Sequence, residues 1–216
     1  MILVVHSEVN PDSRYHTEEL AKGFPERCEY DYAKEGSPPD LEEIGDVDGV
    51  VLAGSTAGVY ESDEYPWMVN QQRWIRELVR EEVPTLGVCF GHQAINSALG
   101  GEVEHRGLRC ALVTPEFADD PLFEGGGKKV AAVHGDWVVE AGEEMDSIAS
   151  LPDYPFFGTR HREAPVWSVQ FHPECTERFY RVVERKHGWQ SHEDSVRSFE
   201  ATRLFENFRR LTGESG

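Results

Sequence analysis

The chain has 216 residues, enough for a sizeable core, and one domain, 1–216, is the expected organisation. Asp and Glu number 40 against 21 Lys and Arg, a formal net charge of −19; this disfavours binding to nucleic acid or to an anionic membrane surface, both of which need cations facing phosphate. No stretch approaches the roughly 18 apolar residues of a membrane span, and the opening Met-Ile-Leu-Val-Val lacks the basic flank of a signal peptide.

Ile2 to His6 is a short apolar run, as expected of a strand buried on both faces. A helix from Thr17 to Gly23 follows, ended by glycine and then Pro25. Glu29 to Ala33 is a second strand candidate, and Pro38-Pro39 marks a turn. Asp48 to Gly54 is another buried strand that runs into a loop of small residues. Pro66 to Glu82 reads as a long helix with Trp67, Trp74, Ile75, Leu78 and Val79 on one face. Pro84 breaks it. Thr85 to Val88 is a fourth strand leading into Cys89, and Gly91 to Leu99 is a helix stopped by Gly100-Gly101.

This alternation predicts an α/β fold, an open and mostly parallel sheet with helices on both faces, in the flavodoxin-like or Rossmann-like three-layer manner. From Glu102 the pattern changes. Arg109–Thr114, Val130–Val133, Trp137–Glu140 and Ser147–Ala149 are strand-like runs without long helices between them, and predict a small antiparallel extension. Pro165 to Phe171 resembles a last buried strand. Two helices close the chain, the second with Val196, Phe199, Leu204, Phe208 and Leu211 near helical spacing.

Residues 85–96 read TLGVCFGHQAIN. Gly87-Val88-Cys89-Phe90-Gly91 sits between a predicted strand and a predicted helix, the thiol form of a nucleophile elbow. Glycines permit the tight turn, and the helix N-terminus favours a thiolate at Cys89. The Phe90 N–H would point to the same place and could stabilise an oxyanion. Residues 169–174 read VQFHPE, which places His172 just after a strand and Glu174 two positions on. A thiol is only a few per cent ionised at neutral pH and needs a basic neighbour, a role open to His172 with Glu174 fixing its tautomer. Both segments lie at the carboxyl ends of strands, where ligands collect in open sheets.

Blander readings of the same residues are a structural cysteine between packing glycines and a satisfied core histidine. Metal ligation is disfavoured, because no other His or Cys stands at ligand spacing and the P-C-x-x-C of zinc deaminases is absent. The expectation is therefore no metal and no cofactor. Cys28, Cys89, Cys110 and Cys175 form no C-x-x-C pair, which fits free thiols in a reducing cytoplasm. Only Lys22, Lys34, Lys128, Lys129 and Lys186 are lysines. Excess carboxylate with scarce lysine is the composition of a surface kept soluble in concentrated salt, and points to a halophilic source.

The elbow GVCFGHQA, the segment FHPE about 80 residues later and the β-α rhythm together resemble the class I (triad) glutamine amidotransferase family. The loop VLAGSTAGVYESDEYPW is most similar to its GMP synthase-like members. The resemblance implies a Cys89, His172 and Glu174 triad that hydrolyses the side-chain amide of glutamine through a γ-glutamyl thioester. It implies an oxyanion hole from the backbone of Phe90 and Ser55, following Gly54, and glutamine contacts from Gln93, Gly135 and Asp136. In one departure, Ser55 and Thr56 stand where the family has glycine and proline. No phosphate-binding G-x-x-x-x-G-K-[ST] is present, so an ammonia-accepting synthetase partner is expected. A stand-alone γ-glutamyl peptide hydrolase with the same triad, and a catalytically silent binding module, are the alternatives.

Overall fold

A computed structural model of the chain describes residues 1–189 and 203–213. Its strands are β1 (Ile2–His6), β2 (Arg27–Asp31), β3 (Gly49–Leu52), β4 (Thr85–Val88), β5 (Glu102–Val113), β6 (Glu116–Phe117), β7 (Val130–Glu140), β8 (Met145–Leu151), β9 (Tyr154–His161) and β10 (Val166–Val169). The helices are α1 (Tyr15–Ala21), α2 (Tyr32–Glu35), α3 (Leu41–Ile44), α4 (Trp67–Arg80), α5 (Phe90–Ala98), α6 (Glu177–His187) and α7 (Arg203–Leu211). One sheet of eight strands has the order β2-β1-β3-β4-β10-β9-β8-β6. The first five are parallel and the last three antiparallel. The parallel part has the flavodoxin order, with its topological switch between β1 and β3. β5 and β7 pair separately as a long antiparallel ribbon.

Alternation along the central strands divides the core into two layers. Ile2, Val4, Val51, Leu86, Val88 and Val169 face Leu20, Phe24, Phe205 and Phe208. Leu3, Val5, Val50, Leu52 and Val166 face Trp74, Ile75 and Leu78 of α4 and Ile95 of α5. Each such side chain, taken out of water, contributes about 1.5–3 kcal/mol. The face expected of α4 is the one that packs inward, with Val79 partly buried at its margin. Leu204 and Phe208 of α7 are buried and Leu211 packs against them, whereas Val196 and Phe199 lie outside the described residues. Among the described residues no helix is long and apolar enough to cross a membrane.

Several boundaries differ from the sequence expectation. The first helix runs from Tyr15 to Ala21: its backbone ladder opens at Arg14 O, which accepts from Glu18 N–H (3.0 Å), with the Thr17 hydroxyl bonded back to the same oxygen (3.0 Å). The second strand starts and ends two residues early. Asp31 caps α2 through Lys34 N–H (3.2 Å), and Gly36, at φ 74°, ends it. The runs 130–133 and 137–140 are one strand, β7. Its partner β5 begins at Glu102 rather than Arg109; its first seven residues are mostly exposed, so no apolar alternation marks them.

Candidate active site

β4 delivers Cys89 at φ 55° and ψ −106°, a backbone conformation that costs a non-glycine residue about 1–3 kcal/mol. The peptide is held there on both sides. Cys89 N–H donates to Val169 O at 2.9 Å, and Cys89 O accepts from Gln93 N–H at 3.1 Å. The two flanking glycines are sterically required. A Cβ on Gly87 would come within 2.6 Å of the Gly91 backbone, and one on Gly91 within 2.1 Å of Leu52 O. α5 starts directly at Phe90 with no side-chain cap, so its first N–H groups and the positive end of its dipole are left at Cys89.

On the neighbouring strand, the chain leaves β10 through Gln170 and Phe171 to His172, whose N–H is anchored on Ala131 O at 2.9 Å. His172 Nδ1 lies 2.7 Å from Glu174 Oε1 and its Nε2 3.1 Å from Val133 O. Both ring nitrogens thus face acceptors, the pattern of an imidazolium. Burial pulls the His172 pKa down. The attraction of Glu174 and Cys89, with hydrogen bonds to both, overcomes it and holds the ring well above 6.5. Cys89 itself is 7% exposed, with its sulfur 4.0 Å from Val133 O.

Cys89, His172, Ser55, Gln93, Gly135 and Asp136 line one cleft of about 350 Å³. Glu174 stands behind His172, fully enclosed. Gly54 adjoins the cleft, and a Cβ placed on it would lie 3.7 Å from the Cys89 Cβ. Neither Gly54 nor Ser55 has a positive φ, so serine is accommodated in this loop without left-handed strain. Gln93 Nε2 donates to Asp136 O and to Gln170 Oε1, both at 3.2 Å. Asp136 Oδ1 accepts from the Tyr60 hydroxyl (3.0 Å) and faces His105 Nδ1 at 2.8 Å. His134 Nδ1–H donates to Asp136 O at 3.1 Å; burial, the main cause, lowers its pKa to about 3 and keeps the ring neutral.

Sequence reasoning missed a second histidine–carboxylate pair at this cleft. Glu8, in the loop after β1, is 1% exposed and lies 2.7 Å from His16 Nε2. Burial would raise the Glu8 pKa, yet hydrogen bonds from His16, Thr56 and Asn10 hold it below its ordinary value. The signal available was position alone, since both residues flank the carboxyl end of a predicted strand. Gln170 and Tyr154 were also missed; the Tyr154 hydroxyl donates to Gln170 Oε1 at 2.9 Å, and so backs Gln93.

A strained thiol on a strand-to-helix elbow, opposite a histidine–glutamate pair on the next parallel strand, defines a class of α/β protein built around a cysteine. The family model described as glutamine amidotransferase class-I matches residues 27–181, and the chain belongs to that family. One subunit of the glutamine-hydrolyzing GMP synthase of Methanothermobacter thermautotrophicus is 32% identical over 152 residues, 67% of this chain and 76% of that protein. The glutamine-hydrolyzing GMP synthase of Wolinella succinogenes is 37% identical over 134 residues, 58% of this chain and 24% of that protein. The chain therefore spans about a quarter of the length of the Wolinella relative. A glutamine amidotransferase of Thermotoga maritima superposes with a TM-score of 0.72 at 22% identity, covering 99% of this chain and 94% of the other. This likeness shows the shared fold.

Proposed function

We propose that this protein hydrolyses the side-chain amide of glutamine and passes the ammonia to a partner synthetase in a reducing cytoplasm. The observation that carries the reading is the convergence of Cys89 Sγ and His172 Nε2 on the Val133 carbonyl, at 4.0 and 3.1 Å, in a cleft open to a small ligand.

The Cys89 thiolate, favoured by the imidazolium beside it and by the helix start, attacks the amide carbon of glutamine. The carbonyl electrons move onto oxygen, and the oxyanion receives the N–H groups of Phe90 and Ser55. His172 gives its proton to the amide nitrogen, the C–N bond breaks, and ammonia leaves a γ-glutamyl thioester on Cys89. His172, now neutral, takes a proton from water as the water attacks the thioester; glutamate departs and the thiolate–imidazolium pair is restored. Glu174 orients the ring and stabilises its charged form. Gln93 uses both amide hydrogens on Asp136 O and Gln170, which leaves its oxygen to accept from the substrate. Gly135 and Asp136 complete the contacts to the α-amino and α-carboxylate groups.

The Methanothermobacter relative, itself named as one subunit of its synthase, supports a separate acceptor-activating partner. Ammonia released from glutamine by the wild type and by Cys89→Ala tests the reading. Release by the wild type alone supports it, and equal release by both proteins contradicts it.

A further inference from the structure

The Glu8–His16 pair is not used by the steps above, although it is buried at the same cleft. Glu8 uses its carboxylate fully. Oε2 faces His16 Nε2 at 2.7 Å and accepts from Thr56 N–H at 3.0 Å. Oε1 accepts from the Thr56 hydroxyl at 2.5 Å and from Asn10 N–H at 2.7 Å. The contact joins the loop after β1 to the loop after β3, across the switch point of the sheet. Thr56 itself is exposed, so these two hydrogen bonds, not packing, fix its peptide. The peptide immediately before it carries the Ser55 N–H.

His16 restrains the same loop from the other side. A Cβ on Gly54 would stand 3.1 Å from His16 Cε1 and 3.2 Å from its Nδ1. The ring therefore lies against Gly54, close to Cys89. Its Nδ1 is buried without a hydrogen-bond partner among the described residues, so Glu8 supplies the ring's hydrogen bond while the rings of Tyr15 and His172 pack edge-on against it. The carboxylate thus bonds one neighbour of Ser55 and holds a ring against the other, beside the local hydrogen bond from Ala57 N–H to Ser55 Oγ at 3.1 Å.

We propose that Glu8 is a positioning residue, which acts through Thr56 and His16 to hold the Ser55 N–H toward the oxyanion formed at Cys89. The inference rests on the glutaminase reading and deepens it. It predicts a separation of effects. The oxyanion exists only in the transition state and intermediate, so releasing the loop lowers kcat and leaves ground-state binding little changed.

The test uses Glu8→Ala and Thr56→Val, the second being a surface change that leaves the core intact. Loss of a well-placed oxyanion donor costs about 10²–10³-fold in kcat, and a loosened one less, so about a tenfold fall is expected in Glu8→Ala with KM within about threefold. Thr56→Val falls in the same direction, and Thr56→Ser, which keeps both donors, regains at least half of that loss. Alkylation of Cys89 by iodoacetamide, which needs the thiolate and no oxyanion hole, stays within about twofold of wild type. The Thr56 amide exchanges with solvent at least about tenfold faster in Glu8→Ala. Unchanged kcat, unchanged Thr56 exchange, or a parallel fall in turnover and alkylation overturns the proposal. A wild type that turns over no glutamine overturns the reading beneath it, which is a different result from turnover that Glu8→Ala leaves intact.

Discussion

The sulfur of Cys89 and the Nε2 of His172 approach one and the same acceptor, the carbonyl oxygen of Val133, at 4.0 and 3.1 Å. The two residues come from different parallel strands, and Val133 comes from the β5–β7 ribbon outside the main sheet. The ribbon is thus part of the cleft rather than an ornament on it. Its carbonyl, together with Glu174, gives the imidazolium two acceptors.

Glu174→Gln removes the main attraction that raises the His172 pKa against burial. Iodoacetamide alkylation of Cys89 reads the charge of the neighbouring His172 ring, whose pKa is held well above 6.5 in the wild type. In Glu174→Gln the rate at pH 6 falls by about tenfold or more, since one pH unit of lost stabilisation is a factor of ten. The pH–rate profile of alkylation checks this.

Gly91→Ala places a methyl group 2.1 Å from Leu52 O, and backbone must move to admit it. Overpacking against backbone of this severity costs roughly 3 kcal/mol. Urea denaturation is expected to show that loss. Gly107→Ala, in contrast, meets no neighbour within 4 Å but sits at φ 88°, and loses only the roughly 1 kcal/mol of a left-handed residue.

Acid destabilises the fold through His92 and His134. Burial is the main cause that lowers both pKa values to about 3 from 6.5. Below 6.5 the unfolded chain gains a proton at each site and the folded chain does not, so stability is lost as pH falls from about 6.5 toward 3. Each group contributes about 1.4 kcal/mol per pH unit in that window, or about 2.7 for the pair. His172 shifts the other way and stays charged in both states there, so it adds no slope. Unfolding free energies at pH 6 and pH 5 measure the sum, and His134→Gln removes about half of it.

The charge of −19 sets an expected salt response. Exposed ion pairs contribute little each, so screening their loss is a smaller effect than screening the general repulsion of carboxylates. The melting temperature is expected to rise from about 0.1 M to about 2 M KCl, where the Debye length drops below about 3 Å. A protein most stable at low salt contradicts the halophilic reading.

Local pattern made much of the architecture readable. β1 and β3 are short apolar runs because both faces are covered, and α4 shows its buried stripe because one face is wet. The placement of Cys89 beside His172 followed from strand ends meeting at one edge of a parallel sheet. β9 was not readable: Pro155 and Gly158 interrupt Tyr154–His161, which is held by its neighbours β8 and β10 rather than by its own propensity. Glu8 carries no motif, and Thr56 drew notice only as a departure from the family's loop. Their contact spans 48 residues and exists only once β1 and β3 lie side by side.

The most direct measurement is acid quenching of the protein during turnover of radiolabelled glutamine, followed by peptide mapping. Label bound as a hydroxylamine-sensitive glutamyl adduct on the peptide containing Cys89, and lost in Cys89→Ala, is the predicted result. Steady glutamine hydrolysis in Cys89→Ala, or label that maps to another residue, would contradict it.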